Sequence, residues 1–100
     1  MMVSVDDKNN SWLSEDELLA RGRLGWLISG KVSEQQFWLL IGISSMHSEK
    51  VIKALFDYLV NGISRKKSCC LHQVNSGHFS IGLSRLQYLS HAAAKLSQFY

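Results

Sequence analysis

The chain has no proline among its 100 residues. No position therefore forbids an internal helical hydrogen bond, and the β-branched residues are scattered rather than alternating, which points to helix throughout. Cysteine is scarce: Cys69 and Cys70, side by side. Neighbouring cysteines cannot staple distant parts of a fold, and a disulfide between them would be strained. No apolar run approaches the roughly 20 residues that a membrane-spanning helix needs, so no membrane partner is expected. The start, MMVSVDDKNN, is acidic and polar, unlike a secretory signal. The expectation is a reducing cytoplasm with both thiols free. Acidic residues are missing altogether after Asp57.

That last absence gives the charge its shape. The formal net charge is +3. Asp6, Asp7, Glu15, Asp16 and Glu17 crowd the first twenty positions. Arg65, Lys66, Lys67, Arg85 and Lys95, with His72, His78 and His91, occupy the other end. A one-signed half suits an anionic partner such as nucleic acid, and equally a solvated basic face.

Hydrophobic content of 46% is that of a globular chain. The length makes one domain, one that can lean on a second copy for part of its core. Ser14 and Glu17 fit a capping box for a short helix to about Arg21. Ser33 and Gln36 repeat the pattern before FWLLIGI, Phe37 to Ile43. That run is apolar on every side, so its helix is expected to be buried nearly all round. A subunit interface is the natural outlet for so much apolar surface, with Phe37, Trp38, Leu40 and Ile41 contributing.

Ser45 or Ser48 can cap the next helix, whose stripe is Val51, Ile52, Leu55, Leu59 and Val60. Asn61-Gly62 stops it, and Ser64 caps a helix from Arg65. Val74-Asn75-Ser76-Gly77 interrupts, and Asn75 or Ser76 caps a last helix. Phe79, Leu83, Leu86 and Leu89 give that helix an apolar face; His78, Ser80, Ser84, Arg85 and Gln87 line the other.

A short basic helix, a tight turn and a longer amphipathic helix over about 64–89 form the plan of a helix-turn-helix. Cys69 is the small residue where the second helix crosses the first, and Val74 plugs the gap between them. Asn75, Ser76, His78 and Ser80 are small or polar enough to approach base edges. Arg65, Lys66 and Lys67 open the first helix, where phosphate meets both charge and free N–H groups. The chain departs from a generic motif in carrying Gln73 where glycine is usual, and polar Ser68 and His72 where apolar residues are usual.

Rival chemistries are weaker. Cys69 and His72 share a helical face, but Cys70 points about 100° away and no four ligands converge, so no metal or cofactor is expected. Cys69 is then a packing residue and Cys70 a partly exposed thiol. His78 reads DNA or decorates a solvated face. His47 and His91 have no evident partner. No nucleophile–base pairing suggests an enzyme, and Trp12, Trp26 and Trp38 are spaced for core and interface rather than for stacking bases.

The segments VSEQQFWLLIGISSMHSEKVIKALFDYLVNGISRKKSC and VNSGHFSIGLSRL closely resemble the PapB family of small bacterial regulators of fimbrial and other adhesin operons. The resemblance runs from about Val32 to the C-terminus. It divides the chain into a variable N-terminal segment with a short helix, 1–31, and a helical DNA-binding domain, 32–100. It implies an all-α domain with a C-terminal helix-turn-helix, homeodomain-like or winged-helix-like without clear strands. It also implies selective binding of duplex DNA at A/T-rich operator repeats, contact in the minor groove, and assembly of a dimer or higher oligomer along the DNA. Arg65, Lys66 and Cys69 match the family's basic helix; Asn75, Gly77, His78, Phe79, Ser80 and Arg85 match its second helix. With Lys67, Ser76 and Ser84 on the same surfaces, these make up the expected DNA-contacting set, Phe79 excepted. Family members tend to carry an acidic residue near Lys67 and Cys70 and an apolar one at Ser68, so this chain is more basic there. The competing reading is a protein–protein interaction module that modulates other regulators.

Overall fold

The computed structural model describes residues 24–100, so the capping box at Ser14, its short helix and Trp12 lie outside the described residues. Four α-helices follow one another: α1 (Glu34–Ser44), α2 (Glu49–Leu59), α3 (Arg65–His72) and α4 (Ser76–Leu96), then a 3-10 turn over Ser97–Phe99. No strand occurs among the described residues. The fold is all-α, with α3, a three-residue turn and α4 forming the helix-turn-helix.

Each helix starts where a short polar side chain can satisfy an orphan N–H. Ser33 Oγ accepts from Gln36 N–H at 3.1 Å, Ser48 Oγ from Val51 N–H at 3.4 Å, and Ser64 Oγ from Lys67 N–H at 3.2 Å. Ser48, not Ser45, is thus the cap of α2; Ser45 ends α1 in the left-handed conformation at φ 59°. Asn75, not Ser76, caps α4, its Oδ1 accepting from Gly77 N–H at 2.7 Å.

The core is built on α2, whose Val51, Ala54, Leu55, Tyr58 and Leu59 are buried. Ala54 and Tyr58 fill the stripe; Ile52 and Val60, expected within it, sit half-buried at its edges. Phe79, Leu83 and Leu86 of α4 pack onto this face, with Leu89 half-buried beside them. The two helices come close at Gly82, where an added Cβ would stand 3.0 Å from Val51 Cγ1 and 3.1 Å from Leu55 Cδ1.

Helix α1 departs from the expectation of burial all round. Phe37, Leu40 and Ser44 are buried, while Trp38, Leu39 and Ile43 are 51%, 67% and 62% exposed. The helix lies against α4 and α2, and the side turned away from both has nothing to pack against. Phe37 meets Phe56 edge to face at 5.2 Å and Trp38 at 5.1 Å, which pins the entry to α1.

Residues 24–32 form a strap across the helices. Gly30 N–H donates to Tyr58 O and Val32 N–H to Leu59 O, each at 3.2 Å, and Ser29 Oγ donates to Tyr58 O at 2.9 Å. The last carbonyls of α2, which have no intrahelical partner, are satisfied this way. On the α4 side, Gln87 Oε1 accepts from Leu27 N–H at 2.7 Å and Gln87 Nε2 donates to Leu27 O at 2.9 Å. Leu27, Ile28 and Val32 are the strap's buried side chains.

Candidate nucleic-acid interface

Helix α3 opens with the three basic residues, but the fold treats them differently. Lys66 and Lys67 are exposed, and neither ammonium group has a hydrogen bond or ion pair to another described residue. Arg65 is half-buried. Its guanidinium lies 5.1 Å from the centroid of the Phe79 ring, donates to Ser80 Oγ, and reaches Ser76 O at 3.5 Å. Arg65 is therefore a clamp that holds the start of α3 onto the first turns of α4.

Behind the clamp, the unusual polar residues find partners. Ser68 is wholly buried and its hydroxyl donates to Ile63 O at 3.4 Å. His72 Nε2 meets Asp57 Oδ2 at 2.6 Å, tying α3 to α2, and Asn61 Nδ2 donates to the other carboxylate oxygen at 2.9 Å. Burial pushes the Asp57 carboxyl up, but the hydrogen bonds from His72 and Asn61 and the nearby imidazole charge outweigh it. The net effect holds the carboxyl below its ordinary value. Cys69 is half-buried against the core, where burial pushes its thiol up and the Arg65 charge only partly opposes this. Cys70 is exposed, and both cysteines are free. Among the described residues no three His, Cys, Asp or Glu side chains are placed to share a metal ion.

The turn consists of Gln73, Val74 and Asn75. Gln73 takes the left-handed conformation at φ 54°, the place where glycine is usual, and its N–H closes α3 onto Cys69 O and Cys70 O. Val74 packs against the core between the helices. Asn75 spends its side-chain oxygen on the cap, so it orients α4 and has only its amide nitrogen left for a base.

Helix α4 presents Ser76, Gly77, His78, Ser84 and Arg85 to solvent, with Ser80 half-buried under Arg65. The structure thus gathers the expected set on two adjoining helices. It places Lys66, Lys67, Ser76, Gly77, His78, Ser84 and Arg85 outward, and turns Arg65, Cys69, Asn75 and Ser80 to joints within the motif.

On α1, Phe37 and Leu40 belong to the subunit's own core, at 0% and 6% exposure. Of the four residues expected at an oligomer interface, Trp38 is exposed and Ile41 half-buried; Leu39 and Ile43 join Trp38 as outward apolar side chains.

Among the pairings that escaped the sequence are His72 with Asp57, Arg65 with Ser80, Gln87 with Leu27, and His91 with the strap. His91 Nδ1–H donates to Leu24 O at 2.5 Å, and its ring stacks on Trp26 at 4.5 Å. A signal existed only for the first, in the polar residue at a position where the motif expects an apolar one.

Residues 7–100 match the family model "PapB: Adhesin biosynthesis transcription regulatory protein". The chain is similar to the AFA-III adhesin operon regulatory protein of Escherichia coli, 53% identical over 76 residues, spanning 76% of this chain and 75% of that one. It is similar to the major pilus subunit operon regulatory protein PapB of Escherichia coli, 53% identical over 74 residues, spanning 74% and 71%. The crystal structure of Escherichia coli FocB superposes with a TM-score of 0.71 at 49% identity, covering 87% of this chain and 99% of FocB.

Proposed function

The chain belongs to the PapB family of adhesin biosynthesis transcription regulatory proteins, and we propose that it regulates its operon by binding duplex DNA through α3 and α4. It is a transcription regulator, not an enzyme. The relatives it matches are named as regulators of adhesin and pilus operons, and a fimbrial or adhesin operon is the target proposed here.

The observation that carries the reading is the pairing of two cations without protein partners, Lys66 and Lys67, with the outward polar surface of α4. Neutralising phosphates supplies affinity, and small side chains such as Ser76, Gly77 and Ser84 let the helix approach base edges. A/T-rich operator repeats are the proposed sites. Their minor groove is narrow and strongly negative, so it attracts lysine side chains such as Lys66 and Lys67. Repeated sites suit a protein acting as a dimer or higher oligomer, and Trp38, Leu39 and Ile43 are the apolar surface proposed for that assembly. Action in the cytoplasm, at the nucleoid, follows from a DNA target.

Competition of labelled A/T-rich duplex by unlabelled A/T-rich and G/C-rich duplexes tests the reading. The expected outcome is displacement by A/T-rich competitor at several-fold lower concentration. Equal competition would remove the A/T preference. No retention of either duplex would leave an interaction module acting on other regulators.

A further inference from the structure

We infer that the turn between α1 and α2 completes a second phosphate-contacting site, formed by His47 with His78 and Arg85 of α4, on the flank of α4 away from α3. This rests on α3 and α4 binding duplex DNA. The three basic side chains line one shallow concavity with Ser45, Ser48 and Gly82. All three are exposed, and none has a hydrogen bond or ion pair to another described residue. No Asp or Glu lines the concavity. The charged groups beside it are Glu49 and Lys50 in the first turn of α2, outside the lining, and Glu34 lies at the distant end of α1.

Position around α4 decides what the cluster is for. Ser80, held by Arg65, marks the α3 flank. At 100° per residue, His78 lies about 160° and Arg85 about 140° from Ser80 around the helix. Gly77, Ile81, Ser84 and Tyr88, all exposed and uncharged, form the ridge between. The ridge thus has Lys66 and Lys67 beyond one edge and His47, His78 and Arg85 along the other. A helix seated in a groove of duplex DNA meets a phosphate backbone on each side. Two cationic flanks around an uncharged ridge match that arrangement; a small free anion needs only one. A helix with its side chains is about 10–12 Å across, the width of the major groove. In this seating Ile81 and Ser84 face the base edges.

The site is tested apart from Lys66 and Lys67. Duplex affinity of the full chain should be measured against salt for wild type, Arg85→Ala and His47→Glu. Arg85→Ala should flatten the log–log slope by about 0.9, one phosphate contact. His47→Glu sets a carboxylate in the concavity beside His78 and Arg85, and should weaken duplex binding at every salt concentration. Circular dichroism of each variant checks that the fold is kept. A His47→Glu protein with wild-type affinity, or an Arg85→Ala protein with the wild-type slope, overturns this site and leaves binding through α3 and α4 standing. Wild-type protein that binds no duplex overturns the DNA reading itself.

Discussion

Arg65 stands at the first position of α3, where a guanidinium could serve a phosphate, yet the fold engages it with Ser80, the Ser76 carbonyl and the Phe79 ring. Its neighbours Lys66 and Lys67 have no such engagement. Replacing them should therefore separate structure from binding. Arg65→Ala should lower stability by about 1–3 kcal/mol, the range for charge-assisted hydrogen bonds and a partly desolvated cation over a ring. Lys67→Ala should stay within about 0.5 kcal/mol in stability and flatten the salt dependence of duplex binding by about 0.9. Urea titration and binding isotherms on both variants check this. An Arg65→Ala protein with the wild-type midpoint would remove the clamp. Gln73 is a second residue whose backbone matters more than its side chain. Left-handed φ costs an L-residue about 1–2 kcal/mol, and the closure of α3 onto Cys69 O and Cys70 O compensates for it.

At the scale of elements, the joint between α2 and α3 is polar where the rest of the core is apolar. Asp57 holds its proton less tightly in the folded chain than it would unfolded, because His72 and Asn61 bind the carboxylate. Its contribution to stability is complete above the unfolded carboxylate range, about pH 4, and is lost as the pH falls through the lowered folded value. Thermal unfolding of wild type and Asp57→Asn across the acid range should show curves that converge towards low pH and separate above about pH 4, with wild type the more stable. Curves that run parallel through the acid limb would show that the carboxylate charge does nothing there. The strap and α4 form the other polar joint. Gln87 alone satisfies both the N–H and the C=O of Leu27, so the extended chain needs no strand partner.

At the scale of the molecule, the two functions proposed fall on different elements. Cations lie along α3 and the first half of α4, while Trp38, Leu39 and Ile43 project from α1. A shallow apolar groove lined by Leu39, Leu40, Ile43, Ala93 and Ala94 runs between α1 and the second half of α4. Together they make a patch that water covers poorly. Sedimentation of wild type should show a dimer or larger species at concentrations that saturate DNA. Leu39→Glu/Ile43→Glu should shift it towards monomer with unchanged helical content, because the two side chains are 67% and 62% exposed. A monomeric wild type well above the DNA-binding range would end the proposal of assembly through this face.

What the sequence alone determined is local. A cap joins a side chain to an N–H two or three residues on, so Ser33, Ser64 and the Asn75-Ser76 pair announce α1, α3 and α4 whatever the rest of the chain does. The periods of Phe79, Leu83 and Leu86 likewise name the buried face of α4. The order of helices, the turn and the family resemblance were legible for the same reason. Tertiary structure decided everything that depends on which surfaces meet. The run FWLLIGI reads as buried on all sides, but a helix at the surface buries only the side that α2 and α4 meet, and composition cannot say which. Arg65 faces Ser80 across 15 residues, His72 faces Asp57 across 15, and His91 reaches Leu24 across 67. Such pairs have no spacing rule, because chain topology rather than helical period brings them together. His47 joins His78 and Arg85 on one concavity only once α4 has crossed α2 at Gly82.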